Sequence, residues 1–132
     1  MKNLITAIYS KATGGGNTFT TALGGRIYFN EAAQRADMPY SVFSLVSAVP
    51  EYYLQFRHES VLVQFNIFDE SRSAVNVSTY AGYCKDLFDD CAMTVTGYTM
   101  ILFEREQERV LRNDMTENTW LYNIQYRVTL SK

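Results

Sequence analysis

The sequence predicts an α+β fold, in the order α-β-β-β-α-β-β, with two helices packed on a mostly antiparallel sheet. Three observations carry that reading. Residues 119–130, "TWLYNIQYRVTL", alternate without a break: Trp120, Tyr122, Ile124, Tyr126, Val128 and Leu130 share one face, while Leu121, Asn123, Gln125, Arg127 and Thr129 share the other. Such a period of two marks an antiparallel strand with one buried and one wet side. "ESVLVQFNIFD", residues 59–69, alternates too, but both its faces carry apolar residues, which suits a central strand. Directly after it the period becomes helical, with Val77, Tyr80, Cys84, Leu87, Phe88 and Cys91 in one apolar stripe and Thr79, Gly82, Asp86 and Asp89 opposite. Ser71 or Ser73 is placed to cap this helix, with Asp69 and Glu70 near the positive end of its dipole.

The other elements follow in order. Lys2 to Thr13 places Ile5, Ile8, Tyr9 and Ala12 on one helical face, and Gly14 to Gly16 ends that helix in a flexible joint. One helical turn fits Phe19 to Leu23, and Arg26 to Phe29 reads as a short strand. "NEAAQRADMP" is a polar loop with room for a turn of helix. Tyr40 to Ser47 alternates as a strand. The segment Ala48 to His58, with Tyr52, Tyr53, Leu54 and Phe56, is too apolar for a solvated turn; it is either a protruding hairpin or a docking loop. Thr94 to Val110 reads as a long strand with Met100 and Leu102 on one side and Ile101 and Phe103 on the other. Residues 111–118 form the turn into the last strand.

At 132 residues the chain is expected to be a single domain burying about two-thirds of its unfolded surface. A net charge of −2 argues against a module that binds nucleic acid by neutralising phosphates. No apolar run is long enough to span a membrane, and the N-terminal segment, interrupted by Thr6, Ser10 and Lys11, is not read as a signal peptide. Cys84 and Cys91, about 10 Å apart along one predicted helix, are out of disulfide reach and are expected as free thiols, which suits a reducing cytoplasm. Ten tyrosines and eight phenylalanines fit either an aromatic sheet core or a protein contact surface.

Chemistry is sparse. The one histidine, His58, sits between Arg57 and Glu59 and reads as a surface residue. One histidine and two cysteines make no zinc cage. Gly14 to Gly16 lacks the lysine and preceding strand of a phosphate loop. Acid pairs such as Asp89/Asp90 have nothing beside them to separate their pKa values. The expectation is a protein that is not an enzyme and holds no metal or cofactor. "EREQER", comprising Glu104, Arg105, Glu106, Glu108 and Arg109 around Gln107, can pair across an edge with a copy of itself, present acids to a passage that should not bind DNA, or simply discourage aggregation.

Arg26-Ile27-Tyr28, then Pro39-Tyr40 opening the next strand, then Val63-Gln64-Phe65 running into a helix through a Ser/Asp-rich cap, resemble the tail terminator or tail-completion family of long-tailed bacteriophages. Phe29 stands where members often have proline. The resemblance covers nearly the whole chain. It implies a homohexameric ring at the head-proximal end of the tail, between the tail tube protein and a head-completion or neck protein, located in the virion and assembled in the host cytoplasm. DNA would pass through the lumen without specific binding, as the mild acidity suits. Under that implication the subunit and tube contacts would be Tyr52, Tyr53, Leu54, Phe56 and Arg57 in the hairpin, with Glu104, Arg105, Glu106, Glu108, Arg109 and Arg112 in the last strand pair. The alternatives are a neck or head-closure adaptor, or a small ligand-binding protein or enzyme whose cavity is lined by Trp120, Tyr122, Tyr126 or His58.

Overall fold

A computed structural model of the chain describes residues 2–33, 37–53, 56–71, 73–112 and 119–132; the side chains of residues 53 and 56 fall outside that description. The elements are α1 (Lys2–Thr13), α2 (Thr18–Ala22), β1 (Ile27–Phe29), β2 (Tyr40–Tyr53), β3 (Phe56–Glu70), α3 (Val75–Phe88), β4 (Thr99–Arg112) and β5 (Thr119–Ser131). The strands form one sheet in the order β1-β2-β3-β5-β4, with β3 in the middle as its two-sided alternation requires. Every neighbouring pair is antiparallel except β1 with β2. The fold is therefore α+β, with the sheet mixed only at one short edge. The described residues 48–53 and 56–58 continue β2 and β3 as an antiparallel pair, out to Tyr53 opposite Phe56, as the hairpin alternative expects.

One face of the sheet is built from Val61, Val63, Phe65 and Ile67 of β3 and Tyr122, Ile124, Tyr126, Val128 and Leu130 of β5, all buried against the helices. Its centre is aromatic. Phe88 of α3 lies with its ring centroid 4.7 Å from that of Phe65 and 5.6 Å from that of Phe103, and Phe103 is 4.9 Å from Tyr126. Each such side chain contributes roughly 1.5–3 kcal/mol through burial, and offset or tilted rings add to that.

The opposite face carries polar side chains. Asn123 Nδ2 donates to Asn66 Oδ1 at 2.6 Å and to Gln64 Oε1 at 3.3 Å, and Gln64 Nε2 donates to Ser44 Oγ at 3.2 Å. At one end of this face Tyr40 stacks on Phe68 with centroids 5.0 Å apart.

Several details depart from the sequence-based expectations. The buried stripe of α1 is Leu4, Ile8 and Ala12, so the helix is rotated from the predicted face and Tyr9 is left 46% exposed. The glycine joint is clamped by Asn17, whose Nδ2 donates to Ala12 O at 3.0 Å and Gly14 O at 2.9 Å while its Oδ1 accepts from Thr20 N at 2.8 Å. One carboxamide thus closes α1 and caps α2. Helix α3 buries Val77, Ala81, Cys84 and Phe88 and ends at Phe88, so Cys91 lies beyond it rather than on it; both cysteines are free. Its N-cap is Ala74, with no side-chain cap bond; Ser71 Oγ instead donates to Ser73 O at 2.6 Å, and Ser73 Oγ is 3.5 Å from Val75 N. Asp69 and Glu70 are the last residues of β3 rather than part of the helix approach. Residues 30–33 and 37–39 contain no helical turn.

β4 starts later than expected because the chain turns at Gly97 (φ 84°), closed by a bridge between Val95 and Tyr98. It also does not alternate as predicted. The register against β5 shifts between Met100 and Leu102, so Ile101 is an extra residue. Met100 and Phe103 therefore lie on the helix side, opposite Leu130 and Val128, and Ile101 is left 52% exposed.

Candidate functional site

The residues expected to make contacts fall into two places. The first is the tip of the β2–β3 hairpin. There Tyr52 is 74% exposed, the Arg57 guanidinium lies 6.0 Å above its ring, and Arg57 NH2 reaches Glu59 Oε1 at 3.1 Å. Tyr53 and Phe56 form the next rung of the hairpin; their side chains, and Leu54 altogether, lie outside the described residues. A cavity of about 210 Å³ at the base of this tip is lined by Ala48, Pro50, Tyr52, Arg57, Glu59 and Tyr98. Glu59 Oε2 is buried there without a hydrogen-bond partner.

The second is β4, the outer strand of the sheet, where every residue from Glu104 to Arg112 is exposed. Its charges are less free than the sequence implies. Glu106 takes a bidentate pair from Arg127, with Nε at 3.0 Å and NH2 at 3.4 Å. Arg105 NH1 lies 3.5 Å from both Asp89 Oδ2 and Glu108 Oε2, and Lys85 Nζ lies 3.1 Å from Glu108 Oε2. Arg112 sits 5.9 Å above the ring of Trp120. Glu104 and Arg109 make no ion pair among the described residues.

Sequence reasoning missed the group that ties β5 and β4 to the end of α3. Asp89, placed on the solvent face by the helical period, is the C-cap of α3, and its Oδ1 accepts from the buried Tyr126 hydroxyl at 2.7 Å. Burial raises the Tyr126 hydroxyl far above its ordinary value, with the nearby Asp89 charge acting in the same direction. Burial likewise holds the Cys84 thiol well above its usual value, with Asp89 again adding to the shift. Burial alone would lower Lys85, but its hydrogen bond and charge pairing with Glu108 outweigh that and leave it raised. No local pattern announces these contacts, because Asp89 and Tyr126 are 37 residues apart.

The hairpin tip marks one end of the sheet, and the charged run of β4 extends from Glu104, level with Leu62, to Arg112 at the other end. His58, near the hairpin tip, is level with Ser131 and Thr99, whereas Trp120 and Arg112 are level with Asp69 at the other end. At about 3.3 Å per residue the strands span roughly 40 Å between those rungs.

Trp120, Tyr122, Tyr126 and His58 line none of the described cavities. Tyr126 is fully buried in the aromatic cluster, and Trp120 Nε1 donates to Ser71 O at 3.1 Å. A cavity of about 420 Å³ lies between α1 and residues 92–96 and is lined by none of them. Among the described residues no group of three or more His, Cys, Asp or Glu is placed to hold a metal ion, and no helix is long and apolar enough to cross a membrane.

These elements define an α+β fold with helices on one sheet face and a long outer strand, β4, whose outer edge has no strand partner among the described residues. Solved structures share this fold. A chain of the virion of a native gene transfer agent particle superposes with a TM-score of 0.83 at 8% identity, covering 98% of this chain and 95% of its own. A second solved chain matches with a TM-score of 0.62 at 11% identity, over 96% of this chain and 94% of its own. No family model and no curated protein sequence matches the chain.

Proposed function

We propose that this chain is a structural virion protein that forms a ring at the head-proximal end of a phage-type tail, where it ends tube polymerisation and joins the tail to head or neck proteins. The observation that carries this reading is the end-to-end likeness to a chain of the gene transfer agent virion, with nearly the whole of both chains superposed. The distribution of exposed side chains supports it. An exposed aromatic hairpin tip lies about 40 Å from the far end of the charged outer strand, so one subunit can touch different neighbours at its two ends. The residues around His58 and the acid pairs offer no convergent catalytic group, and we read the protein as non-enzymatic.

Electron microscopy of particles from a producing strain lacking the gene tests this. Filled heads separated from tails that are overlong or ragged at the head end are the expected result. Tails of normal length left unjoined would move the role to a neck or head-closure adaptor. Intact, infectious particles would overturn both. A complementing Tyr52→Ser variant should fold normally, because the side chain is mostly exposed, yet join fewer heads to tails.

A further inference from the structure

We propose that β4 is a self-complementary edge that pairs antiparallel with the β4 of a second copy across a two-fold axis. Its inner side is hydrogen-bonded to β5, and its outer side has no strand partner among the described residues. Residues 102–111 read "LFEREQERVL". Laid against its own reverse, this segment sets Leu102 opposite Leu111, Glu104 opposite Arg109 and Arg105 opposite Glu108. Four of the five charges meet their opposite, Glu106 falls beside Gln107 at the centre, and each terminal leucine meets a leucine. A slip of two residues would set Glu104 against Leu111 or Arg109 against Leu102, so one register is favoured.

The backbone makes this register physically possible. In an unbroken strand, residues 104 and 109 are an odd number apart and point to opposite faces, whereas residues directly opposite one another in an antiparallel pair must share a face. The register shift between Arg105 and Gln107 inserts one extra residue, Glu106, and corrects the parity. Glu104 and Arg109 then stand opposite Arg127 and Asn123, both on the face away from the helices. Arg105 and Glu108 stand opposite Tyr126 and Ile124, both on the helix face. Leu102 and Leu111 share the first face and are each 38% exposed. Glu106, which falls next to the axis, is already neutralised by Arg127, so two copies of it do not meet as free charges.

A charged edge ordinarily discourages pairing with arbitrary strands. This one excludes other partners while matching itself. The contact is independent of the ring proposed above. Subunits of a ring that all face one way cannot make it, and it covers the edge in copies outside such a ring.

Sedimentation velocity on the purified chain, over a concentration series at low and high salt, tests the proposal. The expected result is a monomer–dimer equilibrium that weakens with salt. Glu104→Arg and Arg109→Glu should each weaken dimerisation roughly tenfold, since two-fold symmetry counts every cross-strand pair twice. The double exchange, Glu104→Arg with Arg109→Glu, should restore it. A second readout does not depend on those variants: oxidation should cross-link a chain carrying both Glu104→Cys and Arg109→Cys, and neither single substitution should cross-link. A wild-type chain that stays monomeric throughout would overturn the proposal. So would a dimer indifferent to single charge reversal, a double exchange no better than the singles, or cross-linking that is equal in the single cysteine variants.

Discussion

Tyr126→Phe isolates the contact that fixes β5 to the end of α3. The substitution keeps the ring, and with it the packing against Phe65, Phe88 and Phe103, whose centroids lie 6.0, 6.3 and 4.9 Å away. It removes only the hydroxyl that donates to Asp89 Oδ1 at 2.7 Å. A hydrogen bond to a charged group contributes about 1.5–3 kcal/mol. The Asp89 side chain is 35% exposed and retains Arg105 at 3.5 Å, so water and the guanidinium compensate in part. The expected loss is therefore at the lower end of that range, about 1.5 kcal/mol, or a fall of about 0.75 M in the urea midpoint at a slope near 2 kcal/mol/M. Alkaline pH supplies a second readout. Because burial raises the Tyr126 hydroxyl above the unfolded value of 10.0, the folded chain holds that proton more tightly than the unfolded chain. Its contribution is complete below pH 10.0 and is lost as pH rises further. Tyr126→Phe should flatten the decline, leaving the part due to Cys84, Cys91, Tyr80 and Lys85, which are raised as well. A variant within about 0.3 kcal/mol of wild type, well below the expected loss, with an unchanged alkaline limb, would refute the reasoning.

Three further outcomes are expected. Asn17→Ala should cost about 1–2 kcal/mol in thermal or urea unfolding, because one side chain both ends α1 and caps α2. Phe88→Ala should cost about 3–5 kcal/mol by urea unfolding, since Phe88 is fully buried at the meeting point of β3, β4 and β5. Cys84 should resist iodoacetamide in the native chain and react once urea unfolds it, because it is fully buried and its thiol is held well above its usual value; mass spectrometry of the peptides should find Cys91 labelled first.

Period carried most of the fold. β5 and the inner face of β3 follow their alternation residue by residue, because each has one face against the helices and cannot slip by one position without exposing it. β4 broke its pattern because a bulge is a backbone event, and "MILF" and "EREQ" contain no glycine or proline to mark one. The stripe of α1 was displaced because Leu4, Ile8 and Ala12, spaced four residues apart, also make one helical face, and local periodicity does not choose between it and the face carrying Ile5 and Tyr9. In the candidate site the exposed Tyr52 and the charged run were legible as composition. The pairings of Arg105 with Asp89 and of Glu106 with Arg127 were not, since each joins residues brought together only by the sheet order.

The run of the strands also has a mechanical consequence. Between the rungs His58–Ser131 and Glu70–Thr119, β3 and β5 are paired at thirteen consecutive positions, parallel to the line joining the hairpin tip to the far end of β4. A pull along that line loads the hydrogen bonds side by side in shear, so many must yield together. A pull across the strands would peel β4 away rung by rung. The helices, all on one face, lie outside this line of load. Rupture under axial tension is governed by the unfolding barrier rather than by equilibrium stability, so a chain of modest thermodynamic stability can still resist a pull along this line.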